Sequence, residues 1–195
     1  MTKQELRQEI RRRKAACSLE ERAALSALVI ARLLQHPHWT SAQTVLLYHS
    51  LPDEVNTNDL IRQACAEGKR VLLPAVVGDN LELRELPHPL GASRRFTLEE
   101  SSIINHQSPS LREGAFHILE PTGPLFTDYA AIDLAVIPGV AFTPDGRRLG
   151  RGRGYYDRLL ARFARAYTIG LAFPFQLLED IPTEPHDIKL NEILF

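Results

Sequence analysis

Residues 145–157 combine glycine and arginine at a spacing suited to binding phosphate. Gly150, Gly152 and Gly154 have no side chain, so the backbone N–H groups of this segment can approach an anion closely. The amphipathic run that follows predicts a helix, whose N-terminus adds partial positive charge. Asp157 falls in the first turn of that helix and is suited to hold a magnesium ion that bridges phosphate oxygens. The segment is therefore predicted to bind a phosphate-bearing ligand.

The glycine spacing of this segment matches neither the dinucleotide-binding fingerprint nor the Walker A loop. On spacing alone, a solvated basic loop explains it as well. Its position favours the binding hypothesis, because it joins a buried strand over residues 132–137 to a helix over residues 155–166. Open parallel sheets bind their ligands at such places, outside the carboxyl ends of the strands.

Alternating helical and extended patterns predict the elements that position this loop. Helices are expected from the start to Lys14, from a capping box at Ser18 and Glu21, over 57–68 and over 155–166. Strands are expected over 45–49, 71–77, 81–86, 132–137 and 167–173. Strand–helix–strand spacing predicts an α/β fold: a three-layer open, mostly parallel sheet with helices on both faces, Rossmann-like, forming a single domain over residues 1–195.

Two expectations concern less regular parts of the chain. The second helix is predicted to bury the face that its small and apolar residues form, namely Ala23, Ala24, Ala27, Leu28, Ala31 and Leu34. Residues 87–125 are predicted to be an extended loop region with short elements around 96–104 and 116–119, and a loop of that length often has a function.

Composition restricts the classes of partner. A hydrophobic share of 44%, a charged share of 24% and a net charge of −1 are those of an ordinary globular enzyme or binding protein. Basic residues cluster locally, with six among residues 1–14 and seven arginines among residues 147–165. We therefore expect a small anionic ligand and neither nucleic acid nor a membrane as partner. Two isolated cysteines and a polar, basic N-terminus favour a reducing cytoplasm.

The glycine–arginine segment and four other stretches resemble the 5-formyltetrahydrofolate cyclo-ligase family, also called methenyltetrahydrofolate synthetases. The most specific match is residues 148–157 with the preceding stretch 138–146. Weaker matches follow in order along the chain: the Lys-x-x-x-Arg of residues 3–7, the Ser-x-x-x-Glu stretch of residues 50–57, the Ile-x-Glu-Pro of residues 118–121, and Asp187. Together they extend over nearly the whole chain.

The resemblance implies an ATP- and Mg-dependent ring closure. ATP phosphorylates the formyl oxygen of 5-formyltetrahydrofolate, and the N10 amine then attacks the activated carbon. The departure of phosphate gives 5,10-methenyltetrahydrofolate. Phosphoryl transfer of this kind needs positioning and charge neutralisation, which arginines, backbone amides and a metal ion supply. The family also implies small-molecule substrates only, and we expect a monomer.

The resemblance implies the following roles by position. ATP-binding residues are Lys3, Arg7, Arg148, Leu149, Gly150, Arg151, Gly152, Arg153, Gly154, Tyr155 and Tyr156. Substrate-binding residues are His49, Glu54, Phe116, Arg151, Gly152, Arg153, Gly154 and Tyr155, with Arg151 and Tyr155 as the catalytic pair. Asp157 and Asp187 are the implied magnesium ligands. In several family members an aromatic residue follows the proline that corresponds to Pro74, where this chain has Ala75, and some members have Trp near the position of Phe116, so this side of the folate pocket differs.

Two other functions remain open from the residues alone. The Arg-Gly run is also typical of nucleic-acid-binding modules, although the net charge and the absence of a wide basic face disfavour this. Related open-sheet folds also include other phosphate-handling enzymes, such as sugar-phosphate isomerases and acyl-carrier transferases. Conversion of 5-formyltetrahydrofolate, followed in the near ultraviolet, separates the cyclo-ligase from both, and a salt-dependent affinity for RNA or DNA without ATP turnover would favour the nucleic-acid-binding module.

Overall fold

The computed structural model describes residues 1–86, 111–113 and 119–195. Phe116 and the element expected around residues 96–104 lie outside the described residues. The element expected around residues 116–119 also lies outside them except for its last residue, Leu119, which begins a strand.

Five α-helices and eleven strands are described. The helices are α1 (Lys3–Ala16), α2 (Leu19–Leu34), α3 (Pro37–Ser41), α4 (Asn58–Ala66) and α5 (Tyr155–Leu160). The strands are β1 (Thr44–Leu46), β2 (Arg70–Val77), β3 (Asn80–Glu85), β4 (Leu111–Glu113), β5 (Leu119–Pro121), β6 (Leu125–Phe126), β7 (Leu134–Ile137), β8 (Ala141–Phe142), β9 (Arg148–Leu149), β10 (Tyr167–Leu171) and β11 (Glu192–Leu194). Within the described ranges, no helix has the length and apolar character needed to cross a membrane.

The central sheet has the strand order β11-β10-β7-β1-β2-β3-β6. Strands β11, β10, β7, β1 and β2 run parallel, whereas β3 and β6 are antiparallel to their neighbours. The chain begins the sheet at β1, continues to β2 on one side, and later returns to place β7 on the other side of β1. The strand order therefore reverses between β1 and β7, and in open α/β sheets a crevice for ligands opens at the carboxyl ends of such a pair.

Consecutive residues of the central strands pack on opposite faces of the sheet, as their alternating side-chain directions require. Val45 and Leu47 pack into the cluster that also holds Val29 of α2, Trp39 of α3 and Leu60 of α4. On the other face, the cluster consists of buried residues from β1, β2, β3, β7 and α5, among them Leu46, Leu72, Leu83, Ile137, Leu159 and Leu160. Fully burying each such leucine contributes about 1.5–3 kcal/mol. The predicted α/β fold, with a mostly parallel sheet and helices on both faces, is confirmed.

Helix α1 packs away from the central sheet, on the small hairpin formed by β8 and β9. Its buried residues Leu6 and Ile10 contact Ala141, Leu149 and Ile181. A capping box at Thr2 starts the helix: the Thr2 hydroxyl accepts a hydrogen bond from Glu5 N, and the Glu5 carboxylate accepts one from Thr2 N. Because β9 leads directly into the glycine–arginine loop, this packing brings α1 beside that loop.

Two local predictions are wrong. Helix α2 buries Ser26, Val29 and Leu33, and the predicted face is exposed except for Leu34, which is partly buried; Leu28 is 60% exposed. Ser26 reaches the core because its hydroxyl accepts a hydrogen bond from Asn56 N, which satisfies a backbone donor there. The helix expected over residues 155–166 ends at Leu160, after which the chain turns back toward β10.

Candidate active site

A cavity of about 940 Å³ opens at the carboxyl ends of β1 and β7, where the strand order reverses. Cavities of roughly 300–1,000 Å³ are typical of small-molecule sites. Every predicted site residue that the structure describes lines this cavity, so only Phe116 is left unplaced. These residues are Lys3, Arg7, His49, Glu54, Arg148, Leu149, Gly150, Arg151, Gly152, Arg153, Gly154, Tyr155, Tyr156, Asp157 and Asp187.

The glycine–arginine loop follows β9 and ends at the first residue of α5. Gly152 and Gly154 have φ angles of +100° and +65°, which residues with a side chain rarely adopt. Arg7 of α1 fixes the loop from outside, since its Nε donates a hydrogen bond to the carbonyl oxygen of Gly150 at 2.9 Å. A Cβ on Gly152 would lie 3.4 Å from the Arg7 guanidinium. The loop and α1 therefore form one cationic wall of the cavity.

Arg148 and Asp157 form a largely buried ion pair beneath the loop. Arg148 Nη2 donates to Asp157 Oδ1 at 2.7 Å, and the two side chains are 3% and 15% exposed. The second guanidinium nitrogen, Nη1, donates to the carbonyl oxygen of Pro138 at 3.3 Å. The guanidinium also lies over the Tyr156 ring, 5.8 Å from its centroid. Arg148 thus joins the end of β7, the glycine loop and α5.

Arg151 crosses the cavity and contacts two consecutive carboxylates in the loop after β1. Its Nη2 donates to Glu54 Oε1 at 2.8 Å and to Asp53 Oδ1 at 3.0 Å. The other oxygen of Glu54 accepts a hydrogen bond from Leu51 N at 3.0 Å. Asp53 also accepts a hydrogen bond from Lys14 Nζ at 2.8 Å. The glycine loop and the loop after β1 are therefore joined across the cavity by charged groups.

These charges determine the protonation of their neighbours. Burial opposes ionisation of Asp53, but the hydrogen bonds and charges of Lys14 and Arg151 outweigh it and lower the pKa of Asp53. Burial raises the pKa of Tyr48 and of Tyr156, and the charge of Glu54 raises both further. Both tyrosines thus remain neutral near pH 7.

The second predicted metal ligand, Asp187, lies where α1 meets the segment before β11. Its Oδ2 accepts hydrogen bonds from Lys3 Nζ and from Glu184 N, both at 2.7 Å. Burial opposes ionisation of Asp187, but the hydrogen bond and charge of Lys3 prevail and lower its pKa. Among the described residues, no group of three or more His, Cys, Asp or Glu side chains is arranged to hold a metal ion. Asp157 and Asp187 nevertheless supply carboxylate oxygens, and magnesium is commonly held by one or two carboxylates together with substrate phosphates.

Another wall of the cavity contains residues that the sequence did not predict as part of the site. Pro74, Val76 and Leu81 of the β2–β3 hairpin line it, together with Glu120. Glu120 is only 5% exposed, and its Oε1 accepts a hydrogen bond from Val76 N at 3.0 Å. The sole signal for Glu120 in the sequence was the weak Ile-x-Glu-Pro match. Tyr155 borders the same wall, and its hydroxyl donates to the carbonyl oxygen of Gly78 at 3.4 Å.

The chain is similar to known proteins over its whole length. A family model described as the 5-formyltetrahydrofolate cyclo-ligase family matches residues 1–195. The chain belongs to this family. A 5-formyltetrahydrofolate cyclo-ligase of Mus musculus is 30% identical, over 99% of this chain and 93% of the relative. The enzyme of the same name from Escherichia coli K12 is also 30% identical, over 95% of each chain.

Solved structures of the family show the same fold. The 5,10-methenyltetrahydrofolate synthetase of Aquifex aeolicus has a TM-score of 0.79 and 33% identity, and the match covers 100% of this chain and 89% of that one. The synthetase of Mycoplasma pneumoniae, with a TM-score of 0.73 and 24% identity, supports the fold alone. The predicted family and the prediction that the chain is an enzyme, a cyclo-ligase, are confirmed.

Proposed function

We propose that this cyclo-ligase converts 5-formyltetrahydrofolate and ATP into 5,10-methenyltetrahydrofolate, ADP and phosphate, and that the reaction requires a magnesium ion that is not consumed. The observation that carries the proposal is the contact between Arg151 and Glu54. It brings a cation of the glycine loop to within 2.8 Å of a carboxylate suited to bind the N–H groups of a reduced pterin. A phosphoryl donor and a folate held by these two groups would meet in one cavity.

The cationic wall suits the triphosphate of ATP. Lys3, Arg7, Arg148 and Arg151 all line the cavity, and the loop glycines allow backbone amides to approach phosphate oxygens. Leu149, which is 1% exposed, packs against α1 and so helps to position the ATP-binding residues of α1 and of the loop. Arg153 adds positive charge at the rim of the cavity.

Asp157 and Asp187 are the residues that would hold magnesium, whose charge neutralises phosphate oxygens during the transfer. Each carboxylate is bound to a cationic side chain, Arg148 and Lys3 respectively. Binding of a phosphate chain by those cations releases the carboxylates, so metal and nucleotide are expected to bind together.

The less charged wall suits the reduced folate. Pro74, Val76 and Leu81 provide apolar contact for the pterin, and Tyr155 provides an aromatic face. Glu54 would accept hydrogen bonds from the pterin N–H groups, and His49 lines the same space. Phe116 stays a prediction for this subsite.

In the reaction, the formyl oxygen forms a bond to the γ-phosphorus while the bond from that phosphorus to the ADP oxygen breaks. Arg151 stabilises the negative charge on the transferring phosphoryl group, and Tyr155 holds the folate in line. N10 then attacks the formyl carbon, the bond from that carbon to the phosphate oxygen breaks, and N10 loses its proton. Phosphate is a far better leaving group than oxide or hydroxide, which is why the first step is needed.

The proposal is tested by incubating the protein with 5-formyltetrahydrofolate, ATP and magnesium and following the absorbance in the near ultraviolet. The methenyl product absorbs there, whereas 5-formyltetrahydrofolate does not. Omission of any one component should abolish the change. Absorbance that rises without ATP, or stays constant in the full mixture, would contradict the proposal. Arg151→Ala should raise the KM for ATP, and Glu54→Gln should raise the KM for folate more than that for ATP.

We also propose that the enzyme works as a single-domain, cytoplasmic monomer whose partners are its small-molecule substrates. The uniform match over residues 1–195 supports the first of these points. Gel filtration coupled to light scattering tests the monomeric state.

A further inference from the structure

Arg151 and Glu54, which the proposed function assigns to different substrates, form an ion pair with each other in this structure. Arg151 Nη2 and Nε both lie within hydrogen-bond distance of Glu54 Oε1, at 2.8 and 3.3 Å. The Glu54 side chain is only 9% exposed, so its charge depends on this guanidinium for compensation. Neither group can meet its substrate in full until the contact opens.

Asp53 strengthens this contact through hydrogen bonds with Arg151 and Lys14. Its Oδ1 accepts a hydrogen bond from Arg151 Nη2 at 3.0 Å, while its Oδ2 accepts one from Lys14 Nζ at 2.8 Å. Lys14 belongs to α1, and its side chain is 11% exposed. The position of the Asp53 carboxylate is therefore set by a well-packed helix, and Asp53 in turn fixes the direction of the Arg151 side chain.

We propose that Asp53, held by Lys14, is a positioning residue that keeps Arg151 on Glu54 until substrates enter, so that the nucleotide and the reduced folate bind cooperatively. This inference rests on the proposed function. The phosphate chain draws Arg151 from the two carboxylates, which leaves Glu54 open to the pterin N–H groups. Conversely, the pterin releases Arg151 for the phosphates.

Cooperativity follows because one opening serves both substrates. Whichever substrate binds first bears the cost of separating Arg151 from Asp53 and Glu54, and the second binds to groups that are already apart. Linkage requires the effect to be reciprocal, so each substrate must raise the affinity for the other by the same factor. For a coupling of ordinary size this factor is about fivefold or more.

The test measures dissociation constants by calorimetry with magnesium and a non-hydrolysable probe, adenosine 5′-(β,γ-imido)triphosphate. Each of the probe and 5-formyltetrahydrofolate is titrated into the enzyme alone and into the enzyme saturated with the other. For the wild type, we expect each ligand to tighten the other by about fivefold or more. Equal affinities with and without the second ligand would overturn the inference and leave the proposed function intact. Failure of 5-formyltetrahydrofolate to bind under any condition would instead overturn the proposed function.

Two variants separate positioning from simple charge. Asp53→Asn weakens the hold on Arg151 and removes a negative charge, whereas Lys14→Met frees Asp53 and removes a positive charge. We expect both to reduce the coupling factor toward one, mainly because each single ligand binds the enzyme more tightly. A general charge effect would instead move the two variants in opposite directions and change binary and ternary complexes equally, and that result would refute the inference.

Asp180→Asn is the matched control, because Asp180 pairs with Arg147 on the surface and is not among the residues that line the cavity. Its coupling factor should equal that of the wild type. Melting temperatures of the three variants complete the comparison, since a purely structural role for Asp53 would lower stability without changing the coupling.

Discussion

Replacing Arg148 with methionine should destabilise the protein by leaving a buried carboxylate without its partner. The Arg148 side chain is 3% exposed, and its guanidinium donates hydrogen bonds to Asp157 and to the carbonyl oxygen of Pro138. The substitution keeps the aliphatic part of this side chain but removes the guanidinium. Breaking a buried ion pair by removing one partner costs about 3–5 kcal/mol. Asp157 retains 15% exposure, and Arg148 Nε is buried without a partner among the described residues, so the lower end of that range applies.

A loss of about 3 kcal/mol corresponds to a fall in Tm of about 6–12 °C for a chain of this size. Urea denaturation followed by circular dichroism gives the free energy of unfolding, and the slope with urea should not change. Adding Asp157→Asn to Arg148→Met should recover part of the loss, because the uncompensated charge is then gone. A loss below about 1 kcal/mol for Arg148→Met, at unchanged slope, would refute the argument that this pair is buried and coupled.

Three further predictions concern other parts of the molecule. Gly146→Ala should cost about 3 kcal/mol or more in urea denaturation, because Gly146 has a φ of +89° and a Cβ there would lie 2.2 Å from Leu190 O. Because the pKa of Asp53 is lowered in the folded state, its contribution to stability is present above about pH 4 and is lost as the pH falls further. The fall in Tm between about pH 5 and 3 should therefore be smaller for Asp53→Asn than for the wild type. Burial raises the pKa of Cys65 to about 12, so iodoacetamide at pH 8 should modify Cys17 in the native protein and Cys65 only after unfolding.

Each of these predictions has a matched control. Gly68 has a φ of +75° and nothing within 4 Å of its Cβ position, so Gly68→Ala should cost only about 1–2 kcal/mol. An equal loss for Gly146→Ala would show that Leu190 O does not confine that site. For the pH prediction, parallel curves for Asp53→Asn and the wild type would contradict the assigned cause of the shift. Rapid alkylation of Cys65 with native circular dichroism would show that its thiol is accessible.

Local signals along the chain predicted the elements better than their packing. The capping box at Ser18 and Glu21 marks the start of α2, because two side chains satisfy backbone donors that only a helix start exposes. The buried face of α2 was not predictable in the same way. Its alanines fit an interior or an exposed face equally well, and the burial of Ser26 depends on Asn56, which is distant in sequence.

The candidate site shows the same division between local and distant information. The glycine–arginine loop could be recognised because its chemistry lies within ten consecutive residues. The contact of Arg7 with Gly150 joins residues 143 positions apart, and that of Arg151 with Asp53 joins residues 98 positions apart. Without the family resemblance, neither α1 nor the acidic loop after β1 could have been assigned to the site, since such contacts depend on the order of the strands.

The contact between Lys3 and Asp187 joins positions 184 residues apart, so the two ends of the chain close the same cavity. During synthesis on a ribosome, a chain that has not yet reached Asp187 has its amino-terminal helix and glycine loop but lacks the carboxylate that accepts the hydrogen bond from Lys3. This part of the cavity is therefore completed only after residue 187 has been added. Fusion partners should accordingly be attached with long, flexible spacers at the amino terminus, where Thr2 already borders the cavity.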